Sequence, residues 1–285
     1  MTTLGAPLGL GSGLFWGTGD FLGGLTSRRL PALSVTIWSQ LAGSLVLAGV
    51  LGFSGQRPTV AGMAWGALAG LCGGTALVLF YRSMAEGLMS IVAPVSACGA
   101  VVPVVAAFAR GEWPGLLAGA GILVAVAGVV LVSASGGRSR AGGGALPLRL
   151  LGFSLGAALG FGLFFVFVDV ASSVPGGTPL WAAAGVRAGS LTWLLAIAAV
   201  ARRPLVWPGR RIGVVALAGV LDTTANVLFA YASTLGNLGV VGVLGSLYPV
   251  ATVLLARFVL AERLSPSQTA GVVLAITGVV LLGAA

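Results

Sequence analysis

The stretch ALAGLCGGTALVLF at residues 67–80 returns as ALAGVLDTTANVLF at 216–229, with nine identities in 14 ungapped positions. The same shift of 149 residues lays GLFWGTGD (13–20) over GLFFVFVD (162–169), so that Asp20 falls on Asp169. A shift of 150 sets AGILVAVAGVVL (120–131) on AGVVLAITGVVL (270–281) and Glu112 on Glu262, and AGSL recurs at 42–45 and 188–191. The chain is an internal duplication.

Both copies are apolar throughout, as is most of the chain. Of 285 residues 58% are hydrophobic and 7% charged, whereas a soluble domain has roughly a quarter of its residues charged. The 15 positive side chains are all Arg, and Lys and His are absent. That excludes His-based zinc sites, Ser-His triads and His proton shuttles. The net charge of +9 does not indicate nucleic acid, because a binding face needs clustered basic residues and these are dispersed between long apolar runs. Cys72 and Cys98 lack metal spacing and read as small packing residues. The first five residues lack the positive n-region of a signal peptide, so the first apolar run is expected to remain in the mature protein.

A spanning helix takes about 20 apolar residues. Ten such runs lie near 4–25, 32–52, 61–81, 88–109, 114–133, 150–171, 179–201, 212–232, 237–258 and 266–284. The sequence therefore predicts an all-α membrane protein of ten transmembrane helices, with a repeat over 1–134, a Gly/Arg-rich linker over 135–148 and a second repeat over 149–285. Five spans per repeat is odd, so the second copy should enter the bilayer upside down, an arrangement that places a transporter's site at the midplane between repeats. Breaks 1–2, 3–4, 5–6, 7–8 and 9–10 hold 12 Arg, namely 28, 29, 82, 138, 140, 149, 202, 203, 210, 211, 257 and 263, and the opposite breaks hold only Arg57 and Arg110. By the positive-inside rule the first set is cytoplasmic and both termini lie outside.

Within the spans, Gly5, Gly9, Gly13 and Gly17 form a stripe for close helix approach or for sliding. Pro103 and Pro249, mid-span in corresponding positions, are candidate hinges or static kinks. An ionisable residue in the hydrocarbon is functional by default. Asp222 is central in span 8, Arg187 lies near the middle of span 7, and Asn226 shares the face of Asp222 one turn on. The equivalent first-half positions are Gly73 and Leu77, so the polar group belongs to one repeat. Two readings stay open: a permanent buried ion pair, or a working site with Asp222 as proton or cation site and Arg187 anchoring a substrate carboxylate. Asp20 and Asp169 are expected about 20 Å apart in depth at 1.5 Å per residue, one toward each mouth, as gate or relay carboxylates or as solvated helix ends. Arg82, Glu86 and Arg110 read as interfacial anchors, and Glu86, Glu112 and Glu262 lie at turns. Trp16, Trp38, Gln40, Tyr81, Tyr231 and Tyr248 are the remaining candidates for a cavity wall.

The segment AYASTLGNLGVVGVLGSLYPVATVLLARFVLAERLSPSQTAGVVLAITGVVLL (230–282), with Pro249, the Ala-Glu-Arg-Leu turn at 261–264, Gly271 and Gly278, resembles the repeat of the EamA family in the drug/metabolite transporter superfamily. The first half repeats the pattern with Pro103, Gly-Glu-Trp at 111–113, Gly121 and Gly128, and Phe15-Trp16-Gly17 resembles the opening helix. The resemblance implies a secondary carrier whose cavity is lined mainly by spans 1, 3, 4, 6, 8 and 9. The expectation is a plasma-membrane transporter of a bacterial cell, moving a small organic metabolite or drug by alternating access, with an amino-acid-like zwitterion and export favoured. It would be proton-coupled or facilitative, monomeric, without cofactor or metal, partnered by lipid and substrate. One alternative is an intramembrane aspartyl protease, since Gly17-Thr18-Gly19-Asp20 is a literal GxGD and Pro31-Ala32-Leu33 a literal PAL, but the chemistry needs two carboxylates sharing a proton. The other is a channel or receptor on the same fold.

Overall fold

The computed structural model describes residues 4–109, 116–134, 147–235 and 238–283, and these fold into helices. The first half holds α1 (Gly5–Ser27), α2 (Ala32–Ser54), α3 (Val60–Glu86), α4 (Met89–Ala97), α5 (Val101–Ala109) and α6 (Leu116–Ala134). The second holds α7 (Leu148–Ser173), α8 (Pro179–Val200), α9 (Ile212–Leu235), α10 (Leu238–Gly245), α11 (Tyr248–Val259) and α12 (Pro266–Gly283). Local chemistry sets several ends. The Thr59 hydroxyl accepts from the Gly62 amide and the Thr178 hydroxyl from the Trp181 amide, satisfying amides that the first turn leaves orphaned. Gly55 closes α2 at φ 63°, a left-handed conformation that a Cβ disfavours.

Five helices are long and apolar enough to cross a membrane: α2, α3, α7, α8, and α9 with its preceding turn. The ten spans expected from the sequence are not all reached on that measure, for physical reasons. The runs at 88–109 and 237–258 are each broken in two, and α1 is diluted by eight glycines and Asp20. The breaks fall just before Pro103 and Pro249. Each proline sits in the first turn of the second segment, where its missing N–H would have bonded the carbonyl of Gly99 or Gly245. Residues 98–100 take a 3-10 turn, and the Leu247 and Val250 amides bond back three residues. A further proline, Pro94, lies inside α4.

The two halves interlock. α1 packs along α9 and the α10–α11 junction, and correspondingly α7 packs along α3, α4 and α5; α2 lies on α9 as α8 lies on α3. The repeated motifs are the contact points. A Cβ on Gly219 of the second ALAG would stand 1.8 Å from the Ser39 carbonyl, and one on Gly43 of the first AGSL 2.4 Å from the Gly219 carbonyl. In the other half, Gly70 approaches the Val186 carbonyl at 2.2 Å and Gly189 the Ala67 carbonyl at 2.2 Å on the same construction. Only glycine permits such crossings.

At one end of the bundle the breaks expected to be cytoplasmic converge. Arg28 pairs with Glu262 at 3.0 Å, Arg149 pairs with Glu86, Arg82 lies 3.6 Å from Glu86, and the Val206 amide donates to the Ser34 hydroxyl. Glu262 is not simply a turn residue: it is buried and accepts from the Met89 and Ser90 amides and the Ser90 hydroxyl, so a carboxylate from after α11 caps the start of α4. Thr59 and Gly176 meet at the opposite end. Arg110, Glu112 and nearly all of the 135–148 linker lie outside the described residues.

Candidate functional site

Between the halves lies a narrow cavity, with about 500 Å³ of empty space when its opening to solvent is included. Trp16 and Asp20 of α1, Gly73, Gly74 and Leu77 of α3, and Phe161, Phe164 and Phe165 of α7 form much of its wall. Gln40 of α2, Val186 and Ser190 of α8, Asp222 and Asn226 of α9, and Tyr248 of α11 complete it. The duplication is legible here: Gly73 and Leu77 face the same space as their counterparts Asp222 and Asn226, and Trp16 meets its counterpart Phe165 at 5.6 Å between ring centroids. The expected set of lining spans is corrected accordingly. α2 and α8 contribute Gln40, Val186 and Ser190, whereas no described residue of α4 or α5 lines it; these two helices pack against α7, and α4 also against α11.

One polar network ties three helices together. Arg187 donates through Nη2 to Asp222 Oδ2 at 2.5 Å and through Nη1 to Gln40 Oε1 at 2.5 Å, and the Ser190 hydroxyl donates to the same Gln40 oxygen at 2.8 Å. The Arg187 side chain is 4% exposed and does not line the cavity. Its Nε is buried without a partner among the described residues, and both terminal nitrogens are engaged by protein. Asn226 likewise accepts from Trp16 Nε1 at 3.0 Å.

Asp20 stands apart from that network. It is 5% exposed and lines the cavity, and no hydrogen bond or salt bridge holds its carboxylate among the described residues. α1 crosses α9 closely beside it, at Gly19 and Ala218. Asp169, half-buried on α7, is absent from the cavity wall; it lies two residues before Ala171, whose carbonyl approaches Gly62. The Tyr248 hydroxyl is buried without a partner.

Three aromatic candidates lie elsewhere. Trp38 donates to the Val206 carbonyl and meets Trp207 edge-on at 4.8 Å, pinning the loop after α8. Tyr231 packs with Leu47, Leu180 and Ala183. Tyr81 is buried against Gly23 and Phe80. Sequence reading missed Phe161, Phe164 and Ser190, although the match of Phe165 to Trp16 pointed toward that aromatic face. The GxGD reading of Asp20 finds a second carboxylate in the cavity, Asp222, but Asp222 is engaged by Arg187 and makes no hydrogen bond to Asp20 among the described residues, whereas protease chemistry requires two carboxyl groups that share a proton.

The EamA-like transporter family model matches residues 3–134 and 149–284. The chain belongs to the EamA-like transporter family. An EamA-like chain of this kind is a membrane transporter of the drug/metabolite type, and its two matched stretches are the two copies of the duplication. One solved structure, described as "Crystal structure of protein", superimposes with a TM-score of 0.67 at 18% identity, covering 97% of this chain and 95% of that chain. That likeness concerns the fold. A search of curated proteins gave no match.

Proposed function

We propose that this EamA-like protein is a secondary carrier that moves a small organic solute through the central cavity by alternating access, with Asp20 as the site of proton coupling. The observation that carries the reading is a buried carboxylate, with no hydrogen bond or salt bridge among the described residues, that lines the cavity between two interlocked repeats. A charge in that position is costly, and in this reading proton and ligand compete for the one carboxylate. The breaks before Pro103 and Pro249 are the hinges in this reading, and the Glu262 contacts with Arg28, Met89 and Ser90 hold one end closed. The chain crosses the bacterial plasma membrane ten times as two inverted halves. Both termini lie outside, the arginine-rich end faces the cytoplasm, the unit is a monomer and the direction is export.

Counterflow in proteoliposomes tests the carrier reading. A carrier accelerates entry of labelled solute when unlabelled solute is loaded inside, and a channel does not. Absence of trans-stimulation for every solute that binds the purified protein refutes it. Accessibility of single cysteines placed near each terminus to a membrane-impermeant thiol reagent tests the orientation, and labelling from the cytoplasmic side alone refutes it.

A further inference from the structure

We propose that the outer face of α3, α7 and α8 holds one anionic phospholipid, its phosphate on Arg82 and Arg149 and an acyl chain in the apolar groove below them. The proposal does not depend on what the central cavity carries. Gly73 and Leu77 of α3 line that cavity, whereas Leu68, Cys72 and Thr75 of the same helix line a separate groove, shared with Gly156 and Leu163 of α7 and Trp193 of α8. With its opening it encloses about 670 Å³. All three helices are long and apolar enough to cross a membrane, and Leu68, Leu159 and Trp193 on the rim are exposed, so the medium beside the groove is hydrocarbon. Its polar side chain is already satisfied: the Thr75 hydroxyl donates to the Leu71 carbonyl at 2.8 Å and accepts from Trp193 Nε1 at 2.8 Å. Cys72 behaves as a small apolar group. The groove therefore suits an alkyl chain.

Helical periodicity leads from the groove to a charged cluster at the end of the bundle. Arg82 lies seven residues beyond Thr75 on α3, and Arg149 seven before Gly156 on α7. Each interval is close to two turns and about 10 Å, so both arginines share the faces that line the groove. Their guanidiniums stand 5.0 and 5.6 Å from the centroid of the Phe153 ring. Both also pair with Glu86, Arg82 at Oε1 and Arg149 at Oε2. Two permanent positive charges against one carboxylate leave an excess of one, which a phosphodiester neutralises. With both Glu86 oxygens engaged, the cluster favours phosphate over the ammonium of a zwitterionic headgroup. Each guanidinium is about half exposed and keeps N–H groups that Glu86 does not use, in the geometry that phosphate oxygens accept. A basic cluster above an apolar groove is the pattern that recognises anionic lipid. The other repeat carries Tyr231 and Leu235 at the positions of Arg82 and Glu86, so the cluster is not duplicated.

Brominated acyl chains quench tryptophan fluorescence on contact, and Trp193 is the reporter in the groove. The full chain is placed in nanodiscs of dioleoyl phosphatidylcholine in which about a tenth of the lipid carries dibrominated chains, under a phosphatidylglycerol, phosphatidylethanolamine or phosphatidylcholine headgroup. The Trp193 signal is the difference between the native protein and Trp193→Phe. Brominated phosphatidylglycerol should quench that signal at least twofold more than either of the others. In the double variant Arg82→Gln with Arg149→Gln its quenching should fall to the phosphatidylcholine level. Arg82→Gln alone, at an exposed position, should remove at least half of the advantage, and decides the matter where the double variant does not fold. Equal quenching by the three headgroups overturns the proposal, as does a phosphatidylglycerol advantage that survives the substitutions. Phosphatidylethanolamine quenching as strongly as phosphatidylglycerol overturns the requirement for net negative charge. Glycerol 3-phosphate at millimolar concentration should leave the advantage intact; its loss would assign the arginines to a soluble phosphate and refute the lipid site.

Discussion

Replacing Arg187 by Met should destabilise the protein through one residue that is left behind, Asp222. In the native structure the guanidinium serves both Asp222 and Gln40 at 2.5 Å, with side-chain exposures of 4% for Arg187 and 14% for Asp222. Removing it strands a carboxylate in a cavity with no other cation, a change that typically costs about 3–5 kcal/mol. The ceiling can be worked out separately. The stranded group can escape by taking up a proton, and neutralising a carboxylic acid of reference pKa about 3.9 at pH 7 costs about 4 kcal/mol at 1.36 kcal/mol per unit. The two figures agree. The proton-uptake route also fixes the sign of the pH dependence: the folded variant holds a proton that its unfolded chain releases above about pH 4, so its stability rises as pH falls. The deficit should shrink by about 2.7 kcal/mol between pH 7 and pH 5. Denaturant unfolding in mild detergent at the two pH values, referenced to wild type, measures it. The double variant Arg187→Met with Asp222→Leu removes both charges and should recover most of the loss. A deficit under about 1 kcal/mol, or one independent of pH and not recovered in the double variant, would refute the argument that this pair is held as a buried structural clamp.

Other substitutions probe separate parts of the structure. Glu262→Ala removes the acceptor shared by the Met89 and Ser90 amides and Arg28; a loss of about 2 kcal/mol is expected from the cap and the charged hydrogen bonds, with faster proteolysis in the turn before α4. Unchanged melting and proteolysis would show that the contact is idle. Gly219→Val places side-chain atoms where even a Cβ would stand 1.8 Å from the Ser39 carbonyl, so folded yield on size-exclusion chromatography should collapse, while Gly213→Val, in open space, should be tolerated. Trp16→Phe keeps an aromatic ring but loses the hydrogen bond to Asn226, with an expected cost of about 1 kcal/mol and altered ligand affinity by calorimetry. Trp38→Phe, outside the cavity, should weaken the loop contact at Val206 and leave ligand affinity within twofold.

How much of the site could be read from the chain depends on the kind of residue. Asp222, Arg187 and Asn226 were conspicuous because charge and amide groups are rare in apolar spans, and helical spacing alone put Asp222 and Asn226 on one face. Gln40 carried the same signal in a weaker form. Trp38 and Tyr231 misled because an aromatic in a span packs against any neighbour with equal ease. Asp20 stood out by the same rarity, but that Arg187 reaches Asp222 and not Asp20 depends on how the helices pack.

The sequence by itself determined the duplication, the helical class, the membrane as solvent and the gathering of the arginines in alternate breaks, since composition and repetition are properties of the chain that survive any packing. What only the tertiary structure decided is that the halves interlock, α1 on α9 and α7 on α3, so that the motifs recurring 149 residues apart meet across the repeat boundary. It also decided which charges cancel. Asp222 is engaged by Arg187 and Asp20 is not, because electrostatic pairing depends on distances between side chains on different helices, which packing sets and the order of residues along the chain does not.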